Sequence, residues 1–318
     1  MSIKLFKASN FSYTPFNDYA AGDLEYLQRH DISFTDNPGD ADVIISQNYK
    51  HFKKYFWRGL FGKKFLIWTL ESRFDTHFDP KKKVLFGLAE CHFMNVYTRD
   101  VFVSNITFNT HHINKKLNYL EEDFKIKSRK VVGLMSYYKG IDAPALLHNN
   151  HNIDLIALRS KIGIQGSRLQ KMDVYGKGWP DGISKEDSRE GDWVNRKQTL
   201  LENYNFNLCF ENTAAYNYMT EKIWDSIENY CLPVYYGKHT NVYPIFPEQS
   251  FMDYSEFDSP KALFDFIDKM TDSEFVNRMN KCISVYNSVS ESHEALGKSE
   301  RIHMLDKIVL KLQSILKK

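Results

Sequence analysis

FNLCFENTAAYNYMTEKIWDSIENYCLPVYYG, residues Phe206 to Gly237, sets a buried strand, a polar turn, a helix and a second strand in one uninterrupted run. Phe206-Asn207-Leu208-Cys209-Phe210 is a short apolar segment ending in Glu211-Asn212. Thr220 is a good N-cap for the helix that follows, and Leu232-Pro233-Val234-Tyr235-Tyr236 returns as a strand closed by Gly237. The pattern is a βαβ unit. Lys222 falls at about the second helical position, where its charge opposes the positive end of the helix macrodipole and weakens the helix by a few tenths of a kcal/mol. A bound anion reverses that sign. With the free N–H groups of the first turn, Lys222 is expected to form a phosphate cradle at the carboxyl end of a parallel strand, where open α/β sheets bind their ligands. The competing reading makes Glu221 and Lys222 a solvated pair on an ordinary surface helix.

Working outward, the first half alternates strands and helices. It reads as a strand near Ile3 to Ala8, a helix over Tyr19 to His30, Ile32-Ser33-Phe34 and Val43-Ile44-Ile45. A basic aromatic helix, the strand Lys64 to Trp68 and a further strand at Asn95 to Thr98 follow, which together make a parallel α/β layer. From Ser104 to Ser128 the chain turns polar and loses any period, so the domain boundary is placed there, giving domains 1–125 and 126–318. A second alternating half contains Val131 to Met135, a helix near Asp154 to Leu169, Asp173-Val174-Tyr175-Gly176, a helix near Val194 to Tyr204, and the βαβ unit above. Helices then run to the end.

At 318 residues, with 42% hydrophobic and 15% aromatic content, the chain can build two cores. Forty-two Lys and Arg against 40 Asp and Glu argue against a general nucleic-acid binder, so any anion site is local. Cys91, Cys209, Cys231 and Cys282 are widely spaced, with neither a disulfide framework nor zinc-ligand spacing, and fit a reducing compartment. No apolar run approaches the roughly 18 residues that span a bilayer, and the N-terminus reads straight into a strand. The sequons at Asn10 and Asn105 read as chance matches.

The string from Phe210 to Gly237 closely resembles the donor-binding motif of the α-1,3/1,4-fucosyltransferases, which runs Phe-Glu-Asn-Ser, a short spacer, Tyr-x-Thr-Glu-Lys, then a helix and a Pro-Val strand ending in Gly. Acid, amide, tyrosine, cap and lysine fall at the expected spacing, and Thr213 in place of Ser keeps the hydroxyl. The resemblance implies an α/β fold of the GT-B type, two Rossmann-like domains facing across a cleft, with the acceptor on the N-terminal half and the nucleotide sugar on the C-terminal half. Animal members carry a Golgi membrane anchor; with none in this sequence, the expectation is a bacterial-type cytoplasmic enzyme or a shortened form of a longer protein.

Three further segments carry the resemblance. Trp68-Thr69-Leu70-Glu71-Ser72-Arg73 ends a strand, and Glu71-Ser72 matches the family's Glu-Ser-Pro, whose Glu is the general base. A partly desolvated carboxylate is suited to taking a hydroxyl proton near neutral pH. Arg73 replaces the Pro, which leaves the loop less rigid, and Asp75, His77 and Asp79 remain rival bases. Arg159 precedes the Tyr of Asp173-Val174-Tyr175-Gly176 by the spacing of an animal-family Arg that grips pyrophosphate, as a bidentate, permanently charged guanidinium can. Arg168 and Lys161 are alternatives. Asn95-Val96-Tyr97-Thr98-Arg99-Asp100 partly matches an acceptor-side segment. Asp40-Ala41-Asp42 spells Asp-x-Asp but reads as a turn leading into a strand, and His111-His112 reads as linker.

The resemblance thus implies an inverting transferase moving L-fucose from GDP-β-L-fucose to a sugar hydroxyl of an oligosaccharide or glycoconjugate. Glu71 is the expected base, Arg159 and Lys222 stabilise the departing diphosphate, and Tyr175, Asn212, Tyr218 and Glu221 contact the donor. Neither a metal ion nor a cofactor is expected, since side chains and a helix terminus supply the countercharge. Transfer of a different GDP-sugar, or GDP or glycan binding without turnover, are the rival readings. The C-terminal stripe of Ile302, Leu305, Ile308, Val309, Leu312, Ile315 and Leu316, with Arg301, Lys307, Lys311, Lys317 and Lys318, suits either packing on the protein or peripheral contact with anionic lipid; packing is expected.

Overall fold

Short apolar runs separated by turn residues fold into two doubly wound α/β units. A computed structural model describes residues 2–9, 11–109, 113–186 and 192–317, so His111, His112 and the Asn10 sequon lie outside the described residues. In chain order the strands are β1 (Ile3–Lys7), β2 (Ile32–Phe34), β3 (Val43–Ser46), β4 (Lys64–Trp68), β5 (Lys81–Val84), β6 (Ala89–Met94) and β7 (Val131–Leu134). They continue as β8 (Leu147–His148), β9 (His151–Asn152), β10 (Met172–Tyr175), β11 (Phe206–Leu208), β12 (Leu232–Tyr235) and β13 (Met252–Asp253). The helices are α1 (Asp23–Arg29), α2 (Ile156–Arg168), α3 (Trp193–Leu201), α4 (Glu221–Glu228), α5 (Pro260–Lys269), α6 (Asp272–Glu291) and α7 (His293–Leu316). Among the described residues no helix is long and apolar enough to cross a membrane.

One unit comprises Met1–Ser104 with Lys298–Lys318, the other Asn105–Gly297. The sequence-based division at residue 125 therefore falls inside the second unit, and most of α7 joins the first. The reason is side-chain pairing that periodicity does not reveal. The aperiodic stretch after Ser104 is zipped along α6: Asn287 bonds the Leu117 N–H and C=O at 2.8 and 2.9 Å, and Asn280 does the same for Leu120 at 2.8 and 3.0 Å.

The sheet of the first unit runs β2-β1-β3-β4-β6-β5, parallel except for the antiparallel edge strand β5, which the sequence pattern did not show. Phe65 and Ile67 of β4 share one face with Cys91 and Phe93 of β6, closing a core over Phe52. Asn95 to Thr98 is a turn rather than a strand. The Asn95 side-chain oxygen accepts from the N–H groups of Tyr97 (2.9 Å) and Thr98 (3.0 Å), a local bond that competes with extended backbone. The basic aromatic segment is two 3-10 turns, Tyr49–Phe52 and Phe56–Phe61. Asp40 and Asp42 stand before β3, where Asp42 accepts from the Lys4 N–H at 2.8 Å and Asp40 from the Asn37 amide at 3.1 Å.

α7 lies beside α1 within this unit. Tyr26 donates to Asp306 at 2.5 Å, and the Arg301 guanidinium pairs with the buried Asp23 carboxylate. Its Met304, Leu305, Ile308, Val309, Leu312 and Ile315 are buried, as packing requires, whereas Ile302 is exposed.

The sheet of the second unit runs β10-β7-β11-β12-β13, all parallel, which is the 2-1-3-4-5 order of doubly wound folds with its switch point between β7 and β11. Pro233 is tolerated inside β12 because of where its missing N–H would point. The flanking Leu232 N–H and Val234 C=O face β11, bonding Asn205 and Cys209, so position 233 faces β13, whose pairing begins only at Val234. Asn105 is buried and its amide donates to the Asn241 carbonyl, which removes it as a glycan acceptor.

Candidate active site

The carboxyl ends of β7 and β11 flank the switch point of the second sheet, and the loop leaving β11 carries Glu211, Asn212 and Thr213 there. That loop is zipped to the residues that start α2. Leu155 N–H donates to the Asn212 carbonyl (3.1 Å), Ala214 N–H to the Ile153 carbonyl (2.8 Å), and Asp154 bridges to Thr213. Arg159, one turn into α2, is thereby brought onto the loop, where its Nη1 donates to Asn212 Oδ1 at 2.8 Å. Arg159 is only 8% exposed. Lys161 and Arg168 stand two and nine residues on, about half a helical turn out of phase, and face away from Asn212. Lys161 instead lines an open cavity of about 320 Å³ beside Tyr236 and Tyr254.

Glu211 has a role that the sequence pattern alone does not assign. Its carboxylate, 2% exposed, accepts from the Thr220 N–H at 2.7 Å, from the Thr220 hydroxyl at 2.9 Å and from Lys222 Nζ at 2.6 Å. Thr220 does occupy the N-cap of α4, but its hydroxyl is turned to Glu211 and makes no cap bond. Lys222 therefore already has an anionic partner, which offsets its conflict with the helix dipole. The available signal was an acid placed directly after a buried strand, where an unpaired carboxylate is costly.

Glu221 opens α4 beside this pair. Burial pushes its carboxyl up, and the charges of Lys222 and Lys197, its own N–H and the Thr220 hydroxyl outweigh that, leaving it below its ordinary value. It is an anion at neutral pH, suited to accepting from hydroxyl groups. Tyr218 is buried in the same loop. Tyr175 is elsewhere: its hydroxyl lies 3.0 Å from that of Tyr204, which donates to Asp173 at 2.9 Å, and its ring packs over Val132 and Leu201. The structure thus brings Arg159, Asn212, Glu221 and Lys222 to one loop and leaves Tyr175 on the sheet face. Gly176, which follows it, is needed for close approach, since a Cβ there would lie 2.3 Å from the Met135 carbonyl oxygen.

In the first unit Glu71 follows the carboxyl end of β4, its N–H bonded to Thr69 Oγ1 at 3.1 Å. The loop beyond it is pinned from the turn after β6. Tyr97 donates to the Ser72 carbonyl at 2.6 Å, and the Asn95 amide donates to Asp75 and, at 2.8 Å, to the His77 carbonyl. Asp75 is 3% exposed and lies 2.7 Å from His77 Nδ1, whose ring stacks on Phe93. These contacts supply the rigidity that a proline at position 73 would have given, and they engage two of the rival bases, while Asp79 is exposed.

Two Rossmann-like α/β units, with a cluster of charged and polar side chains at the switch point of the second, define a GT-B-type fold. Residues 156–281, less than half of the chain, match the family model described as glycosyltransferase family 10 (fucosyltransferase) C-term. The α-(1,3)-fucosyltransferase of Helicobacter pylori is 39% identical over 74 residues, 23% of this chain and 15% of that protein. The α-(1,4)-fucosyltransferase of Arabidopsis thaliana is 31% identical over 94 residues, 30% of this chain and 23% of that protein. The matches thus span less than a quarter of these two relatives. A crystal structure of an α1,3-fucosyltransferase superposes over 92% of this chain and 90% of its own, with a TM-score of 0.50 at 16% identity, and shows the shared fold.

Proposed function

We propose that the protein is an inverting fucosyltransferase that moves L-fucose from GDP-β-L-fucose to a hydroxyl of a glycan acceptor, the 3-OH or 4-OH of GlcNAc or Glc. The observation that carries this reading is the convergence of Arg159, Asn212, Glu221 and Lys222 on one loop within the segment that matches the family 10 model. In a single displacement the acceptor oxygen attacks the anomeric carbon as the bond to the β-phosphate breaks. The hydroxyl proton passes to Glu71, and the electron pair leaves with GDP. Arg159 and Lys222 hold the charge that grows on the diphosphate, for which Lys222 exchanges part of its bond to Glu211. Asn212, Glu221 and Tyr218 orient the nucleotide sugar, Glu221 through ribose or fucose hydroxyls. Tyr175 acts through packing.

Turnover of purified protein with a panel of GDP-sugars and lactose, N-acetyllactosamine and lacto-N-biose tests this. Transfer from GDP-fucose, lost in Glu71→Gln with GDP affinity retained, is the expected result. Preference for another GDP-sugar, or GDP binding with no transfer to any acceptor, overturns it. We expect turnover to persist in excess chelator; activity lost in EDTA and restored by manganese would return Asp40 and Asp42 to consideration.

A further inference from the structure

Most large apolar side chains of the first unit are buried, but five cluster in the open at one end of its sheet. The 3-10 turn before β4 exposes Trp57, Leu60 and Phe61, and the 3-10 turn before β6 exposes Phe86 and Leu88. The two turns adjoin, since a Cβ added at Gly59 would fall 2.4 Å from the Ala89 Cβ. Phe86 is fully exposed, and Leu85 and Phe86 both have positive φ (51° and 53°), a backbone state costly for bulky residues that holds the ring outward.

The two stretches that carry this patch hold charges of one sign, with acids only at its edges, Asp40 and Glu90. No acidic residue occurs from Tyr49 to Leu70 or from Lys81 to Ala89, while Lys53, Lys54, Lys63 and Lys83 stand in those stretches, in a chain of net charge +2. Arg58 lies over the Trp57 ring at 4.6 Å, and Trp57 meets Phe61 edge to face at 5.8 Å. The patch ends on the β3 side at the Asp40 turn, where a side chain at Gly39 would meet Arg58 at 3.7 Å. Lys81 and Lys82 are set aside because they belong to an edge strand, Lys81 also pairing with Glu90 at 3.3 Å.

The position rules out the reaction site as the reason for this surface. Both turns stand at the amino ends of parallel strands, whereas Glu71 and Asn95 follow the carboxyl ends, and five residues of strand separate the two ends by roughly 15 Å. We infer that Trp57, Leu60, Phe61, Phe86 and Leu88, rimmed by Lys53, Lys54, Arg58 and Lys63, form a docking surface for an anionic lipid bilayer. Aromatic and aliphatic side chains enter the headgroup boundary, and the surrounding cations face lipid phosphates, each adding to the attraction within a Debye length. Exposed apolar groups inside a cationic rim fit such a surface better than they fit a purely polar polyanion.

Vesicle co-sedimentation of the full chain tests the inference, using phosphatidylcholine with and without phosphatidylglycerol. Binding is expected only with the anionic lipid and to weaken with salt. Phe61→Ser with Phe86→Ser, and separately Lys53→Glu with Lys54→Glu, should each lower partitioning by on the order of tenfold while thermal unfolding is unchanged. A blue shift of tryptophan emission on binding should be reduced in Trp57→Phe. Parent-like binding by both double variants, no binding at physiological salt, or binding to RNA or heparin that outcompetes vesicles and ignores the serine substitutions would overturn it.

Discussion

Lys222 Nζ lies 2.6 Å from Glu211 Oε2, an ion pair joining the first turn of α4 to the loop that leaves β11. Glu211 is buried and Lys222 keeps 28% of its side-chain surface. The carboxylate thereby holds the start of α4 in place through Thr220 and presents the lysine at the loop, so one buried acid both builds the site and competes for its cation.

Removing either partner should therefore have different consequences. Lys222→Ala is expected to cost about 2 to 4 kcal/mol of transition-state stabilisation and to weaken GDP binding, as loss of a charge-stabilising donor does. Glu211→Gln should instead lower the unfolding temperature, because the Thr220 and Lys222 contacts lose their anionic acceptor. Steady-state kinetics, GDP titration and thermal melts separate the two; turnover by Lys222→Ala within a few-fold of the parent would refute the assignment.

The Asn95–Asp75 contact should matter to catalysis only through the loop. Asp75→Asn places an amide against the Asn95 amide and His77, and is expected to destabilise by about 1 to 3 kcal/mol. Its loss of kcat should be partial, unlike that of Glu71→Gln, which should leave the melting temperature unchanged. Abolished transfer in a stable Asp75→Asn variant, with activity retained in Glu71→Gln, would move the proton acceptor along the loop.

Stability should fall in mild acid because of His92. Burial, and then the charge of Lys311, push its pKa down from 6.5 to about 4, although Glu90 pulls the other way. The unfolded chain takes up this proton near pH 6.5 and the folded chain only near pH 4, so stability is present above the window and lost as pH falls through it. The expected loss is on the order of 1 to 3 kcal/mol, read from urea unfolding at about pH 7.5 and about pH 5. His92→Gln should flatten that difference; an equal pH dependence in the variant would assign the effect to other groups.

The last helix should behave as core. Truncation from Arg301 onward strips six buried side chains from the first unit, each worth roughly 1.5 to 3 kcal/mol, and leaves the Asp23 carboxylate without its guanidinium. The truncated chain is expected to lose cooperative unfolding of that unit. Arg301→Ala alone should cost about 3 to 5 kcal/mol, since it strands a buried charge. A stable truncated protein with parent-like melting would show that α7 packs only weakly.

What the sequence by itself determined was local. Runs such as Lys64 to Trp68 and Phe206 to Leu208, the helix opening at Glu221 and the return strand through Pro233 are written in spacing that spans a few residues, and so is the motif from Phe210 to Gly237 that carries the resemblance to the fucosyltransferases. Tertiary structure decided the pairings. Arg159 meets Asn212 across 53 positions because the loop after β11 zips onto the start of α2. Lys222 takes Glu211, Tyr175 turns to Tyr204, and the aperiodic stretch after Ser104 joins the second unit through Asn280 and Asn287 of α6. Periodicity records which face of an element is apolar, but a polar side chain chooses its partner only once the chain topology has set which loops stand together, and burial then makes leaving that partner costly.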